Sequence, residues 1–311
     1  MLHDRARMDH AILFHARCVD GLAAAAVISQ ALWENGASWE LFPAYHGTNV
    51  VLPTALYDHS HIVMVDFFSE AYFTPLMCRP NPPSLTIFDH HISNRSALSA
   101  LQEENSDDIS VLFDNEHCGA SLAFSALFPD RPIPPVLSDI HDYDLHLSKR
   151  RNAEAIHYGL SLKTSAMPLR NAVRWMRSIL FDDSNSGKYR ELLVSGNLIK
   201  RDRDVLYDQI VQSVWTVPYS INGSTCRMGV LLGVSSDMIT VLSARIFEQR
   251  DDLDLVVALY RLPHDQVMYG FRSRAGTGYA LAAATQLGGG GHDNAAGAVV
   301  PFEDAWAPDL L

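Results

Sequence analysis

Long apolar runs are missing from this sequence of 311 residues, although 48% of its residues are apolar. A membrane-spanning helix needs about 20 consecutive apolar residues, and no stretch approaches that length. The first residues also lack an apolar run followed by a cleavage site, so no secretory signal is predicted. These absences argue against an integral membrane protein, and we expect no membrane partner.

Cysteine is scarce and unpaired in spacing. The four cysteines, Cys18, Cys78, Cys118 and Cys226, form none of the short pairs that bind structural zinc. Few and scattered cysteines are typical of a reducing compartment. Together with the missing leader, they predict a cytoplasmic protein without a structural zinc site.

Positive charge is also in short supply. The chain has 24 lysines and arginines against 36 aspartates and glutamates, a formal net charge of −12. This balance excludes a broad basic surface for long nucleic acids. It remains compatible with a small phosphorylated substrate held by a divalent metal, because clustered carboxylates at such a site are part of the negative count.

Against these absences, one stretch combines a buried strand with three polar side chains. Residues 85–88, which are rich in apolar and β-branched side chains, run directly into Asp89-His90-His91. A short, continuous apolar run predicts a strand of a parallel sheet. Ligands of open α/β sheets bind at the carboxyl ends of such strands, so the three side chains are candidates for a metal or phosphate site.

Two earlier strands end in the same types of side chain. His15 and Asp20 follow apolar residues 11–14, and Asp66 follows the run 61–65. An ordinary helix cap would explain Asp20, but not His15. Repetition at three strand ends predicts one shared site. Aspartate and histidine suit hard to borderline divalent ions, and two ions about 3.5–4 Å apart can clamp a phosphoryl group.

The densest set of ligand types lies on a predicted helix over residues 136–147. Its members are Asp139, His141, Asp142, Asp144 and His146. A solvated acidic helix would explain two or three of the five. The pattern therefore predicts a ligand from this helix without deciding which residue provides it.

The last third of the chain changes character and ends in a glycine-rich segment. From residue 215, strands and helices alternate up to four consecutive glycines, Gly288–Gly291, and His292. Glycines let a backbone approach a ligand closely, and Arg272 and Arg274 lie on a preceding predicted strand. We expect an anion site here rather than a flexible linker.

Five motifs together resemble the DHH phosphoesterase superfamily with its associated C-terminal domain, over nearly the whole chain. In order they are His15…Asp20-Gly21, Val65-Asp66, Asp89-His90-His91, Asp142-Tyr143-Asp144-Leu145, and Gly289-Gly290-Gly291-His292…Gly297. The resemblance implies an α/β fold with a Rossmann-like, mostly parallel sheet in a metal-binding domain. It also implies a smaller α/β substrate-binding domain, with a cleft between the two. We expect the metal-binding domain at residues 1–185, a helical linker at 186–214 and the substrate-binding domain at 215–311.

The resemblance also implies the cofactor and the roles of individual residues. Manganese is the expected ion, one or two per chain, with Mg²⁺ as an alternative. His15 and Asp66 would bind one ion, and Asp66 would bridge to a second. The implied ligands of the second ion are Asp20, Asp66, His90 and Asp142, with Asp139 or Asp144 as alternatives to Asp142.

The remaining implied roles are catalytic and substrate-binding. His91 would contact the substrate or the leaving oxygen, and Asp89 would orient its neighbours. The implied phosphate-holding residues are Arg272, Gly289, Gly290, Gly291 and His292.

Cys18 departs from the family pattern, since many members have an aspartate at this place. Three states are open for it: a thiolate ligand that favours a softer ion, a neutral side chain that leaves a coordination position to water, or a core residue. We expect the second state, because His15 and Asp66 could hold an ion alongside water.

The expected function is a metal-dependent phosphodiesterase that releases nucleotides from the 3′ end of short single-stranded oligonucleotides. One alternative is a phosphatase acting on a small phosphorylated nucleotide, such as a 3′,5′-bisphosphate or a cyclic dinucleotide, or on polyphosphate. Another, of a different class, is a catalytically weak nucleotide-binding regulatory module, if Cys18 empties one metal site. The expected partner is an oligonucleotide or other small phosphate ester, with an oligomer left open.

Overall fold

The protein consists of two compact units, Met1–Arg201 and Asp202–Leu311. The computed structural model describes residues 9–16, 18–45, 52–103, 107–182, 186–221, 223–234, 236–262 and 265–305. The expected domain boundary at residue 185 lies outside these residues, so the division into 1–185, 186–214 and 215–311 stays a prediction. Among the described residues, no helix combines the length and hydropathy that crossing a membrane requires.

The first unit is built on a five-stranded parallel sheet with the strand order β2-β1-β3-β4-β5. Its strands are β1 (His10–His15), β2 (Trp39–Ala44), β3 (His61–Val65), β4 (Ser84–Asp89) and β5 (Ile109–Phe113). The runs 11–14, 61–65 and 85–88 predicted from the sequence lie in β1, β3 and β4. They are largely apolar because both faces of the sheet are covered by helices.

Within the described ranges, seven α-helices lie in the first unit, and an eighth contains residues of both units. They are α1 (Val19–Glu34), α2 (Glu70–Met77), α3 (Arg95–Glu103), α4 (Gly119–Leu127), α5 (Pro135–Asp144), α6 (Ala153–Ser165), α7 (Leu169–Phe181) and α8 (Ser186–Gln212). One apolar layer contains α1 with α4 to α7, and the other contains α2 and α3. The four consecutive alanines 23–26 of α1 are fully buried, because small side chains let α1 lie close to its neighbours.

The strand order places the functional edge of this sheet. Chain connections reverse direction between β1 and β3, which are neighbours in space. In open α/β sheets a crevice forms at such a switch point, outside the carboxyl ends of the strands. His15 ends β1 and Asp66 follows β3, so both candidate ligands lie at this crevice.

The second unit has a six-stranded mixed sheet with the order β10-β11-β9-β8-β7-β6. Its strands are β6 (Trp215–Ile221), β7 (Ser224–Leu232), β8 (Leu255–Leu262), β9 (Gln266–Ser273), β10 (Gly290–His292) and β11 (Ala295–Pro301). All neighbours are antiparallel except β7 and β8. Two further helices, α9 (Ser236–Gln249) and α10 (Tyr279–Gln286), pack in separate apolar clusters of this unit. The expected class, a parallel-sheet domain followed by a smaller α/β domain, is confirmed.

The glycine-rich segment contains a regular edge strand. Gly290 and Gly291 pair with β11. Gly291 has a φ of 144°, and a Cβ there would lie 2.6 Å from the Ala295 carbonyl oxygen. Absence of a side chain is therefore what permits this pairing.

Candidate metal centre

Asp66 occupies the centre of the site and has an unusual backbone. It lies directly after β3 with a φ of 54°, a region that few residues other than glycine adopt. Its backbone N–H donates to the Phe88 carbonyl of β4, at 2.9 Å. A Cβ on Gly119 would lie 2.5 Å from the Cβ of Asp66. The first residue of α4 is thus packed against Asp66 so closely that only glycine fits.

Asp20 is held by the amino end of a helix other than its own. Its Oδ2 accepts from the Gly119 N–H at 2.6 Å, and its Oδ1 accepts from the Ala120 N–H at 3.0 Å. These amides belong to the first turn of α4, where the helix dipole favours negative charge. Asp20 therefore caps α4 rather than α1, and its buried carboxylate is fixed at the crevice.

His90 joins three carboxylates. Its Nε2 lies 3.1 Å from Asp66 Oδ1, 3.6 Å from Asp144 Oδ2 and 3.9 Å from Asp20 Oδ2. Because β4 ends at Asp89, the next residue projects into the same crevice as Asp66. The imidazole and its three carboxylate partners come from four separate segments of the chain.

Three groups of side chains in this crevice have the chemistry of metal ligands. Within each group, one ligand atom per residue lies within 4.8 Å of the others. The groups are His15–Cys18–Asp66, Asp66–His90–His91 and Asp20–His90–Asp144. Asp66 and His90 each belong to two groups, so the groups form one continuous cluster.

The fourth motif contributes Asp144 to this cluster, in place of the Asp142 that we expected. Side chains two residues apart on an α-helix point about 200° apart, so the two aspartates face different ways. Asp142 Oδ1 accepts from the Lys149 N–H at 3.0 Å, which ties down the following loop.

Asp139, the other alternative, is also committed elsewhere. It is fully buried, and its two oxygens bind Arg150 Nε at 2.5 Å and the Tyr189 hydroxyl at 2.7 Å. Asp144 is the alternative whose carboxylate remains at the crevice.

Asp89 lies behind the site and holds its neighbours. It is fully buried, and its Oδ1 lies 2.6 Å from His91 Nδ1 and accepts from the His90 N–H at 2.8 Å. Its Oδ2 accepts from the Asn94 amide at 2.6 Å. Burial alone would lower the pKa of His91, but the hydrogen bond between His91 Nδ1 and Asp89 Oδ1 raises this pKa. The arrangement is the one expected of an orienting carboxylate.

The crevice carries an excess of negative charge. Burial and the carboxylates of Asp66 and Asp144 raise the pKa of Asp20 well above its usual value. Burial and Asp66 also raise the pKa of Asp144 to about 6. Burial alone would lower the pKa of His90, but its hydrogen bond to Asp66 raises it to about 9. A proton on His90 is thus stabilised by the same carboxylates that would bind a metal ion.

One buried atom shows that these residues fit a cation. Asp66 Oδ2 is buried and accepts no hydrogen bond from the described part of the chain, although His15 Nδ1 lies 3.4 Å away. Burial would raise the pKa of Asp66, but interactions with His15 and His90 lower it. A buried, charged carboxylate oxygen with an imidazole nitrogen 3.4 Å away matches a ligand of Mn²⁺ or Mg²⁺, which prefer oxygen and imidazole donors.

Cys18 lies beside one of these groups. Its Sγ is within 4.8 Å of ligand atoms of His15 and Asp66. Burial, together with the carboxylates of Asp66 and Asp20, raises the pKa of the thiol well above its usual value. Without a metal ion the thiol is therefore neutral near pH 7.

The residues implied for phosphate binding lie in the second unit and differ in availability. Arg272 donates to the Phe271 carbonyl at 2.9 Å and to Thr240 Oγ1 at 3.0 Å, and desolvation lowers its pKa. The Gly289 N–H donates to the Ala284 carbonyl at 2.8 Å, which closes α10. His292 is exposed on β10. The Gly289 N–H is therefore already bonded within the fold.

The guanidinium of Arg274 binds backbone carbonyl groups of the fold, although we expected it to help bind an anion. Its guanidinium donates to the carbonyl oxygens of Phe247, Arg250 and Leu253 at 2.9–3.0 Å. These bonds tie the end of α9 to the start of β8.

Sequence reasoning missed the partners that hold the cluster in place. Gly119 and Ala120 supply the amides for Asp20, and Asn94 supplies one for Asp89. The only signal for the first pair was a glycine placed between β5 and an Ala-rich helix. Asp20 and Gly119 are 99 residues apart in the sequence. A local sequence pattern does not reveal a contact between residues so far apart.

Comparison with known proteins shows the fold. No protein-family model matches the chain. A curated relative, the uncharacterized protein R106 of Acanthamoeba polyphaga mimivirus, is 23% identical over 305 residues, which is 92% of this chain and 66% of the relative. The chain therefore spans about two thirds of that relative's length.

Two solved structures share the fold at low identity. Exonuclease RecJ bound to manganese has a TM-score of 0.51 at 15% identity, covering 94% of this chain and 86% of its own. RecJ from Thermus thermophilus in complex with Mn²⁺ has a TM-score of 0.53 at 14% identity, with 94% and 50% covered. Both similarities extend over nearly the whole of this chain.

Proposed function

Because the chain has the fold of the DHH phosphoesterases, we propose that it is a metal-dependent phosphohydrolase. More specifically, it is a phosphodiesterase that releases nucleotides from the 3′ end of short single-stranded oligonucleotides. The observation that carries this proposal is the continuous cluster of ligand types at the switch point of the sheet, with Asp66 and His90 shared between groups.

Two ion positions are proposed in this cluster. His15 and Asp66 would hold one ion, with the Cys18 thiol beside it. Asp20, Asp66, His90 and Asp144 would hold the other. When bound, Mn²⁺ or Mg²⁺ lowers the pKa of a coordinated water toward neutrality and neutralises phosphate oxygens.

His91 is proposed to act on the substrate. Asp89 accepts at His91 Nδ1, which fixes the ring and raises its pKa. A raised pKa favours the protonated imidazole, which is the form that can donate to the leaving oxygen. Asp89 acts through His91 as a positioning residue, and Asn94 and two backbone amides hold Asp89 itself.

Substrate binding is proposed for residues of the second unit. Arg272, with one face bonded to Thr240 and Phe271, and the exposed His292 would hold phosphate oxygens. Gly290 and Gly291 offer the backbone of an edge strand without obstructing side chains.

Short substrates are favoured by charge. A formal net charge of −12 opposes long nucleic acids, since each additional phosphate is repelled unless a local cation meets it. A chemistry confined to chain ends requires few contacts beyond the reacting phosphate.

The test is a product ladder from end-labelled single-stranded oligonucleotides of graded length, with Mn²⁺ and with EDTA. We expect a 5′-labelled strand to shorten stepwise only with Mn²⁺, while a 3′-labelled strand releases labelled mononucleotide at once. A 3′,5′-bisphosphorylated nucleotide is assayed beside them. Hydrolysis of the bisphosphate alone, or release from the 5′ end, would contradict the proposal.

A further inference from the structure

A basic and aromatic pocket lies at the end of α1 remote from the metal centre. Its cationic side chains are Arg170, Arg174 and Arg177, spaced to share one side of α7. Trp33, in the last turn of α1, and Trp39, at the start of β2, complete it. The concavity has a volume of about 340 Å³. All five residues belong to the first unit.

The pocket is positive on a protein that is strongly negative. Among its described lining residues the one acid is Glu40, which lies 3.7 Å from Arg170. Within the described ranges, neither Arg174 nor Arg177 forms an ion pair. The formal charge of the chain is −12, so three arginines in one concavity are a local reversal of sign.

The two indoles are arranged around one guanidinium. The Arg177 guanidinium carbon lies 5.7 Å from the centroid of Trp33 and 5.9 Å from that of Trp39. Trp33 is 59% exposed. Cation–π packing within the fold would explain Arg177, but not the exposed indole of Trp33 or the exposed Arg174.

We infer that this pocket binds a segment of single-stranded nucleic acid. The arginines meet phosphates, and Trp33 offers an aromatic face on which a base stacks. Arginines interleaved with aromatic residues along a groove are the arrangement that binds single strands without sequence preference. The inference rests on the proposed function for its substrate class and adds a second contact to that substrate, far from the reacting end.

The length of α1 sets the size of the strand that can use both sites. Cys18 precedes the first turn of α1 and Trp33 lies in its last turn, about 22 Å apart at about 1.5 Å per residue. A stacked strand advances about 3.4 Å per nucleotide. A strand stacked at this spacing therefore needs about six nucleotides between the end in the metal centre and the base at Trp33.

Binding is tested without hydrolysis. The probe is a single-stranded DNA of about 12 nucleotides, long enough to reach both sites, labelled with fluorescein and titrated in EDTA. Replacing Arg174→Glu and Arg177→Glu together should weaken binding at least about tenfold. It should also lower the slope of log K against log salt by about 1.4, the value for two lost phosphate contacts.

The control has the same change of charge elsewhere. Arg190 and Arg201, on α8, are exposed, and neither takes part in an ion pair within the ranges described. Replacing Arg190→Glu and Arg201→Glu should leave affinity within about twofold, apart from the general effect of net charge on the salt slope. Equal losses in the two double variants, or no loss in either, would overturn the inference. If the glutamate pair does not fold, Arg174→Gln with Arg177→Gln serves in its place.

Stacking and hydrolysis give two independent checks. Trp33→Ala should weaken binding of the same probe without changing the salt slope, and unchanged affinity would contradict a stacked base. With Mn²⁺, the arginine pair should lower kcat/KM for the probe of about 12 nucleotides while leaving one of about three nucleotides unchanged. Equal effects on both lengths would overturn a remote contact.

The outcomes also separate this inference from the proposed function. A wild-type protein that binds the long probe in EDTA but hydrolyses neither length would refute the phosphodiesterase and leave the binding pocket standing. A protein that hydrolyses both lengths, with the arginine variants indistinguishable from wild type in binding and turnover, would refute the pocket alone.

Discussion

Asp66 is the residue that both proposed ions would share as a ligand. Its Oδ1 lies 3.1 Å from His90 Nε2, and its Oδ2 lies 3.4 Å from His15 Nδ1. The positive φ of 54° places this carboxylate at the crevice at some cost in backbone energy. Strain of this kind at a residue of metal-ligand type is consistent with selection for function at this position.

Replacing Asp66→Asn should remove metal binding while keeping the fold. Asparagine tolerates a positive φ nearly as well as aspartate, and the change relieves repulsion with Asp20 and Asp144. We expect Mn²⁺ affinity to fall by at least about 100-fold, more than the loss of an outer-shell partner causes. The melting temperature in EDTA should change little, because this relief is offset by weaker pairing of residue 66 with His15 and His90.

Isothermal titration with Mn²⁺ and thermal unfolding in EDTA measure the two quantities. Unchanged Mn²⁺ affinity in this variant would remove the bridging role of Asp66.

Cys18 offers a second test at this scale. Its neutral thiol lies beside His15 and Asp66, so Cys18→Ser should bind Mn²⁺ almost as the wild type does. Cys18→Asp adds a hard oxygen donor at the same place and should tighten the ion. Metal titrations of the three proteins decide between the states. A large loss of metal in Cys18→Ser would mean that the thiolate is a ligand.

At this scale, the sequence predicted which residue types would meet but not every member. His15, Asp20, Asp66 and His90 follow from the rule that strand ends converge. Asp144 could not be chosen over Asp142 from spacing alone, because the choice depends on the rotation of α5 about its axis. That rotation is set by tertiary packing, and in the observed orientation Asp142 accepts a hydrogen bond from the Lys149 N–H.

Among the elements, α4 matters because its first turn supports two of the proposed ligands. Its amides hold Asp20, and its glycine faces Asp66. Gly119→Ala would place a Cβ 2.5 Å from the Asp66 Cβ, which forces α4 or Asp66 to move. We expect a loss of about 1–3 kcal/mol in the free energy of unfolding and weaker Mn²⁺ binding.

Gly187→Ala is the matched control, since a Cβ at Gly187 meets nothing within 4 Å and alanine favours the helix. Chemical denaturation and Mn²⁺ titration of both variants make the comparison. A Gly119→Ala protein that binds Mn²⁺ like the control would contradict the support we assign to α4.

Strands and helices were predicted best where burial dominates. The predicted runs 11–14 and 85–88 lie inside β1 and β4, because short runs of apolar and β-branched residues are typical of strands buried on both faces. The helix expected over 136–147 ends earlier, at Asp144. His146 and Ser148 have positive φ values of 53° and 54°, and this turn follows from the contact between Asp142 and Lys149. A turn fixed by one contact between a side chain and the backbone leaves no period in the sequence.

For the whole molecule, the consequence of the cluster is a stability that depends on metal. Three carboxylates share a buried crevice, and without an ion His90 and His15 offset their charge only in part. An ion that binds the folded chain alone stabilises it by about 2.7 kcal/mol at 100 times its dissociation constant. Removal of Mn²⁺ with EDTA should therefore lower the melting temperature of the wild type but not that of Asp66→Asn.

The increase in melting temperature caused by Mn²⁺ should depend on pH, and the protonation of His90 determines the direction of this dependence. Its folded-state pKa of about 9 exceeds the ordinary 6.5, so a proton on His90 stabilises the metal-free fold below pH 6.5. That contribution is lost as the pH rises through about 9. Asp144, with its pKa raised to about 6, acts in the same direction at lower pH, because its protonation relieves repulsion.

A bound ion must displace these protons. The increase in melting temperature caused by Mn²⁺ should accordingly be larger near pH 9 than near pH 6.5. Mn²⁺ binding at neutral pH should release protons. Thermal unfolding with Mn²⁺ and with EDTA at both pH values measures the difference, and calorimetry in two buffers of different ionisation enthalpy counts the protons. A pH-independent metal effect with no proton release would mean that His90 is neither protonated without the ion nor displaced by it.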